Sequence, residues 1–235
     1  MQSDNLHSII VVGYDYKNSV QGLELAKSNE NVFCTLGLHP SESRAFSQQK
    51  TDEHLKLSQN NKVVAIGEIG LDYHYPDTDK MGQAHSMVAQ LELAKAAELP
   101  VVIHMRDACE DMRQLLKANK HCLRHGGVMH CYSGSLAAAK EYLDLGLYLS
   151  FAGPITYKNA VKYPDIIKGL PIDRILIETD CPYLTPEPFR GRALNEPKNV
   201  FYVAKKIAEI LNITQEEVEK ITLENTFSLF FKLKT

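Results

Sequence analysis

Short apolar, β-branched runs alternate with longer amphipathic stretches along almost the whole chain. The runs at residues 9–12, 32–38, 63–69, 101–105, 127–132, 147–151 and 174–179 read as strands. Their near-continuous hydrophobicity suits parallel strands covered on both faces. Between them, residues 19–27, 51–59, 82–97, 107–119, 135–145 and, more weakly, 159–169 carry helical patterns. Two further helices are predicted at 199–211 and 214–229. The last opens on Thr214-Gln215-Glu216-Glu217, a capping box in which hydroxyl and carboxylate each satisfy the other's backbone N–H.

Repeated βα units predict a parallel sheet. The expected architecture is a TIM (β/α)8-type barrel, although the pattern supplies seven strands where a closed barrel needs eight. No low-complexity tract or linker divides the chain, so residues 1–235 are expected to form one domain. The Pro- and Gly-rich stretch 181–197 reads as a long loop over the rim where the strands end.

Composition narrows the function classes. A net charge of -3 and a pI near 6.3 give no global basic field. A nucleic-acid partner would need a local basic rim or metal ions to meet its phosphates. The cysteines (Cys34, Cys109, Cys122, Cys131 and Cys181) are odd in number, and none has the close spacing of a zinc knuckle or redox pair. Reduced thiols in a cytoplasmic protein are expected, or a nuclear one in a eukaryote. No charged-then-apolar leader opens the chain, and no apolar run reaches about 18 residues, so no membrane span is expected. No obligatory protein partner is evident.

The strand ends carry the chemistry. Four predicted strands run out into Glu68, His104, His130 and the Glu178-Thr179-Asp180 segment. Singly these are weak signals: a lone histidine is more often a hydrogen-bonded structural group, Glu68 could cap a helix, and Asp180 could shape a turn. Together, at equivalent ends of separate βα units, they point to a metal site, because parallel barrels bring those ends to one rim. Nitrogen and oxygen donors without thiolates suit Zn, Mn or Mg. Glu68 could bridge two cations, with His104 and His130 on one and Asp180 on the other. Such a pair would stabilise both oxygens of an in-line displacement at phosphorus. Asp180 is also the candidate general base.

At these residues the sequence resembles the TatD family of metal-dependent deoxyribonucleases. The resemblance rests on Gly37-Leu38-His39-Pro40, Gly67-Glu68-Ile69-Gly70-Leu71-Asp72-Tyr73, Val102-Ile103-His104-Met105-Arg106-Asp107-Ala108 and Met129-His130-Cys131-Tyr132-Ser133-Gly134. It continues through Ile177-Glu178-Thr179-Asp180-Cys181-Pro182-Tyr183-Leu184 and Arg190-Gly191-Arg192 to Asn195-Glu196-Pro197. It implies a dinuclear metal site, with Glu68 bridging, His104 and His130 on one ion, and Asp180 on the other. It also implies DNA as substrate, cut from the 3′ end. Arg106, Arg190, Arg192 and Asn195 are the candidate substrate contacts. His39, Asp72 and His74 fall in the same motifs as candidates for the rim or for packing.

The family's first strand bears a His-x-His pair, and this sequence contains no two histidines so spaced. The expectation is therefore a barrel lacking its first βα unit, which holds one cation well and the second weakly. Two alternatives stand beside the nuclease: an impaired, non-catalytic remnant, or a related hydrolase of small esters or amides.

Overall fold

The computed structural model describes residues 6–191 and 194–234, which fall into two compact units. The first comprises His7–Met129 together with the C-terminal tail from Leu229. It alternates β1 (Ile9–Val11), α1 (Tyr16–Lys27), β2 (Val32–Leu36), α2 (Gln48–Leu57), β3 (Val63–Asp72), α3 (Lys80–Ala97), β4 (Val101–Arg106), α4 (Cys109–Ala118) and β5 (Gly127–Met129). Each strand pairs in parallel with the next. That order follows from right-handed βαβ crossovers, in which each helix returns the chain to lay the next strand alongside the last.

Local chemistry sets where the helices begin. The carboxylate of Asp15 accepts the backbone N–H of Asn18 at 2.6 Å, so α1 starts three residues before its apolar pattern does. Asp79 caps α3 in the same way, through the N–H of Gly82 at 2.9 Å. The face of α3 carrying Met87, Leu91 and Ala94 is fully buried and packs on β3, whose Ile66, Ile69 and Leu71 are also buried. Each Leu or Ile so buried contributes roughly 1.5–3 kcal/mol.

The second unit spans His130–Ser228. It holds α5 (Leu136–Asp144), β6 (Leu147–Phe151), α6 (Tyr163–Lys168), β7 (Ile175–Ile177), α7 (Val200–Leu211) and nearly all of α8 (Gln215–Leu229). Strands β6 and β7 are parallel neighbours. Tyr142 of α5 packs over β6, and α7 packs over β7, its Val203 and Ile207 fully buried. The amide of Asn225 on α8 donates to the carbonyls of Ile172 and Ile175, at 2.9 and 2.8 Å, and ties the helix to the start of β7. The capping box forms as expected: the N–H of Thr214 donates to Glu217 at 2.8 Å, and the N–H of Glu217 to the Thr214 hydroxyl at 3.2 Å.

Seven strands are present among the described residues, as the hydrophobic pattern predicts. Their ends differ. β3 runs on to Asp72 because β4 continues to pair with it, Asp72 opposite Arg106. β5 and β7 stop earlier, at Met129 and Ile177, so His130, Glu178 and Asp180 lie just beyond their strands.

Candidate metal centre

Glu68 sits at an irregularity in β3. The register with β4 shifts between Ile66 and Ile69, and such a bulge re-aims the side chain it carries. The backbone there is fixed from two sides. The N–H of Glu68 donates to the carbonyl of Gly13 at 2.7 Å, and the hydroxyl of buried Thr35 donates to the carbonyl of Gly67. Two residues on, Gly70 has a φ of +152° and lies opposite His104. A Cβ at Gly70 would come within 1.9 Å of the His104 carbonyl oxygen, so only glycine lets the strands approach this closely.

His104 stands between two carboxylates. Its Nδ1 is 2.8 Å from Glu68 Oε1 and its Nε2 is 3.1 Å from Asp72 Oδ2. The ring of His39 meets that of His104 edge-on at 4.5 Å. The N–H of Ser41 donates to His39 Nδ1 at 3.1 Å, which leaves Nε2 to carry the proton and face Glu68 Oε1 at 3.8 Å. Donor atoms of His39, Asp72 and His104 lie within 4.8 Å of one another. Burial favours a neutral Asp72 carboxyl. The hydrogen bonds from His104 and the His74 N–H, with the charges of His104 and Arg106, outweigh it and hold the group below the usual carboxylate range.

In the second unit, His130, Glu178 and Asp180 likewise bring one donor atom each within 4.8 Å of one another. Glu178 is the anchored member. Its Oε1 accepts the N–H of Cys131 at 2.7 Å and the hydroxyl of Ser150, while Oε2 is 3.4 Å from His130 Nδ1. Burial would raise its pKa, yet the charge and hydrogen bond of His130, with the Ser150 and Cys131 donors, keep it low. Asp180 has a φ of +53° and its carbonyl accepts the N–H of Tyr183 at 2.9 Å, so it opens a turn as well as carrying a donor. Asp107, Cys131 and Asp180, each just past the end of a strand, all adopt the left-handed conformation that non-glycine residues rarely take.

These donors fit a divalent cation. A carboxylate at each nitrogen of one imidazole requires either the imidazolium, with an N–H at both, or a cation in place of one proton. Carboxylates kept ionised beside imidazoles, with no thiolate among them, are the donor chemistry of magnesium, manganese or zinc.

The structure gathers Glu68 with His104, and His130 with Asp180, in their respective units. It adds two carboxylates absent from the predicted ligand set, Asp72 and Glu178. Each lies at a spacing of two or four from a predicted ligand, and period-two spacing along an extended chain is the signal that could have found them. The expected substrate residues are placed variously. Arg106 is exposed at the end of β4. The guanidinium of Arg190 lies 3.8 Å over the ring of Tyr157. Asn195 is buried: its amide donates to the carbonyls of Thr179 and Tyr183, both at 2.7 Å, and its Oδ1 accepts from Glu196 and Asn199. Its contacts are to the backbone on either side of Asp180 and to the residues that follow Asn195 itself. Arg192 lies outside the described residues. His74 pairs with Asp107 at 3.1 Å in an exposed position.

Comparison with known proteins settles the family. Residues 1–231 match the family model of TatD related DNases. The chain belongs to this family. It is 42% identical over 229 residues to the uncharacterized metal-dependent hydrolase YabD of Bacillus subtilis, covering 97% of this chain and 89% of that protein. It is 35% identical to YcfH of Escherichia coli, also named an uncharacterized metal-dependent hydrolase, over 88% of this chain and 77% of that one. Among solved structures, the TatD homologue YJJV of Escherichia coli superposes with a TM-score of 0.90 at 33% identity, over 97% of this chain and 88% of the other. A phosphotriesterase homology protein of Escherichia coli shares the fold alone, with a TM-score of 0.65 at 17% identity. The fold class expected from the sequence, a parallel α/β barrel type of the metal-dependent hydrolases, is thus borne out. This TatD chain is a member of a family of metal-dependent hydrolases. No helix among its described residues is long and apolar enough to cross a membrane.

Proposed function

We propose that this chain hydrolyses phosphodiester bonds of DNA, releasing nucleotides from the 3′ end as its family resemblance implies. Glu68, His104, His130 and Asp180 are the residues that would hold the divalent cations, as the family resemblance implies. The observation that carries the reading is the clasp of His104 between Glu68 and Asp72, at 2.8 and 3.1 Å. When bound, the cations supply positive charge at the phosphate oxygens and a water acidic enough to attack near neutral pH.

The chain's own groups do the rest. Asp180 takes the proton of the attacking water. Glu178, fixed by Cys131 and Ser150, orients the ring of His130. Arg190, stacked on Tyr157, presents a planar donor array to a phosphate. Asn195 acts through the turn around Asp180, donating to the carbonyls of Thr179 before it and Tyr183 after it. The compartment that suits this reading is the reducing cytoplasm, for which the odd number and wide spacing of the cysteines in the sequence argue.

The test is release of nucleotides from end-labelled single-stranded DNA with magnesium, with manganese and with EDTA, beside a Glu68→Ala control. Cation-dependent release that the control lacks is expected. A folded chain that binds cations yet releases nothing from DNA while cleaving small esters would overturn the DNA reading.

A further inference from the structure

A second group of donors lies away from the strand-end clusters, on the side of the first unit from which β4 and β5 start. Glu92 projects from α3, and His121 and Cys122 close the 3-10 turn Lys120–Cys122 that follows α4. His121 Nε2 is 2.9 Å from Glu92 Oε1 and 3.4 Å from Cys122 Sγ. One donor atom from each of the three lies within 4.8 Å of the other two.

We propose that Glu92, His121 and Cys122 form a peripheral binding site for a zinc-type divalent cation, which the harder magnesium and manganese ions do not occupy. The donor set is one carboxylate oxygen, one imidazole nitrogen and one thiol sulfur. That mixture selects zinc and its borderline-soft neighbours, whereas the strand-end clusters offer only nitrogen and oxygen.

The spacing fits as well. A tetrahedral zinc ion, with N or O at about 2.0–2.1 Å and S at about 2.3 Å, holds neighbouring donors roughly 3.3–3.6 Å apart. The sulfur–nitrogen separation of 3.4 Å is already there, and the nitrogen–oxygen separation of 2.9 Å needs to open by roughly 0.4 Å to reach that range. Both side chains on that edge are about half exposed, so the surroundings leave room for that adjustment. Lys95 does not stand in the way: it bonds Glu92 Oε2 at 2.9 Å and leaves Oε1 to the site. Cys122, by contrast, is 2% exposed, and its N–H bonds the Asn119 carbonyl at 2.9 Å, so the sulfur is preset. Three protein ligands leave a fourth position for water, and the ion would tie α3 to the turn before β5.

Zinc titration of the full-length, reduced chain, in excess magnesium, tests this, with cobalt(II) as a spectroscopic probe. The intact chain should show a thiolate-to-cobalt charge-transfer band that Cys122→Ser lacks. His121→Ala, whose side chain is exposed, should fold normally and bind zinc at this site at least about tenfold more weakly. If Cys122→Ser fails to fold, His121→Ala decides alone. Equal zinc stoichiometry and affinity in His121→Ala and the intact chain would overturn the proposal. So would a band unchanged in Cys122→Ser, which would assign the thiolate to another cysteine.

Discussion

Whereas His104 has a carboxylate at each ring nitrogen, His130 Nδ1 lies a loose 3.4 Å from Glu178 Oε2, and there the carboxylate is the group multiply held. Glu178 receives the Cys131 N–H and the Ser150 hydroxyl on its other oxygen. In the first cluster the imidazole is therefore the preset element. In the second it is the anion, and its charge and hydrogen bond help to orient the ring. The difference traces to the strands. β3 and β4 stay paired past the site, as far as Asp72 and Arg106, so Asp72 reaches His104 from a ladder position and Glu68 from the bulge within the same strand. β5 and β7 end before it, so the backbone and a serine must do the holding.

The largest effect that could break this comparison is loss of a ligand. Glu68→Ala and His130→Ala should each lower cation-dependent turnover by about 10³-fold or more, since a cation's charge stabilisation is worth several kcal/mol. Single-turnover assays at saturating cation check this, and a surviving rate in His130→Ala alone would show that the second cluster is dispensable. Next come the supporting carboxylates. Asp72→Ala and Glu178→Ala should each cost about 10–100-fold in cation affinity. Glu178→Ala should also lower stability by about 1–2 kcal/mol, because the Ser150 hydroxyl loses its acceptor and the Cys131 N–H keeps only its longer bond to Ser150 Oγ, at 3.2 Å. Equal denaturation midpoints for the two variants would remove the distinction drawn here.

Acid sensitivity needs a separate control, and His54 supplies it. This residue of α2 is 3% exposed, its Nε2 meets no hydrogen-bond partner among the described residues, and burial pushes its pKa down to about 4. The folded chain holds the ring neutral at pH values where the unfolded chain protonates it. Its contribution is therefore complete above about pH 6.5 and is lost as the pH falls towards 4. Between pH 7 and pH 5 that loss is about 2 kcal/mol. Denaturant unfolding at the two pH values should show it in the intact chain and much less of it in His54→Leu. An identical pH dependence in both would shift the origin of acid lability to the strand-end clusters.

What could be read from the sequence divides along the same line as the two clusters. Strand order, the α8 capping box and the placing of donor side chains at the strand ends were legible because hydrophobic period, capping chemistry and motif spacing are local. Asp72 and Glu178 stood outside the expected ligand set, since what brings each to a histidine is contact across strands: Asp72 with His104 on β4, Glu178 with Ser150 on β6 and the N–H after His130. Asn195 shows the converse. A polar residue in a proline-rich loop reads as a ligand-facing group, yet its hydrogen bonds to Thr179, Tyr183, Glu196 and Asn199 are all internal.

Arg190 carries the smallest expected effect and the sharpest reading of substrate. Its guanidinium is oriented by Tyr157 rather than by a carboxylate, so its charge is not neutralised by that contact and remains available for a phosphate. A single phosphate contact released by Arg190→Ala should raise KM for single-stranded DNA by about 3–10-fold and leave kcat nearly unchanged. It should also reduce the salt dependence of binding by about one phosphate's worth, a slope change of roughly 0.7 for single strands. Arg190→Lys should restore most of the salt slope, because that slope depends on charge, but less of the KM, because an ammonium cannot stack as a plane on Tyr157. A KM unchanged in Arg190→Ala would mean that the arginine serves the loop, as Asn195 does, and that the phosphates are met chiefly by the cations.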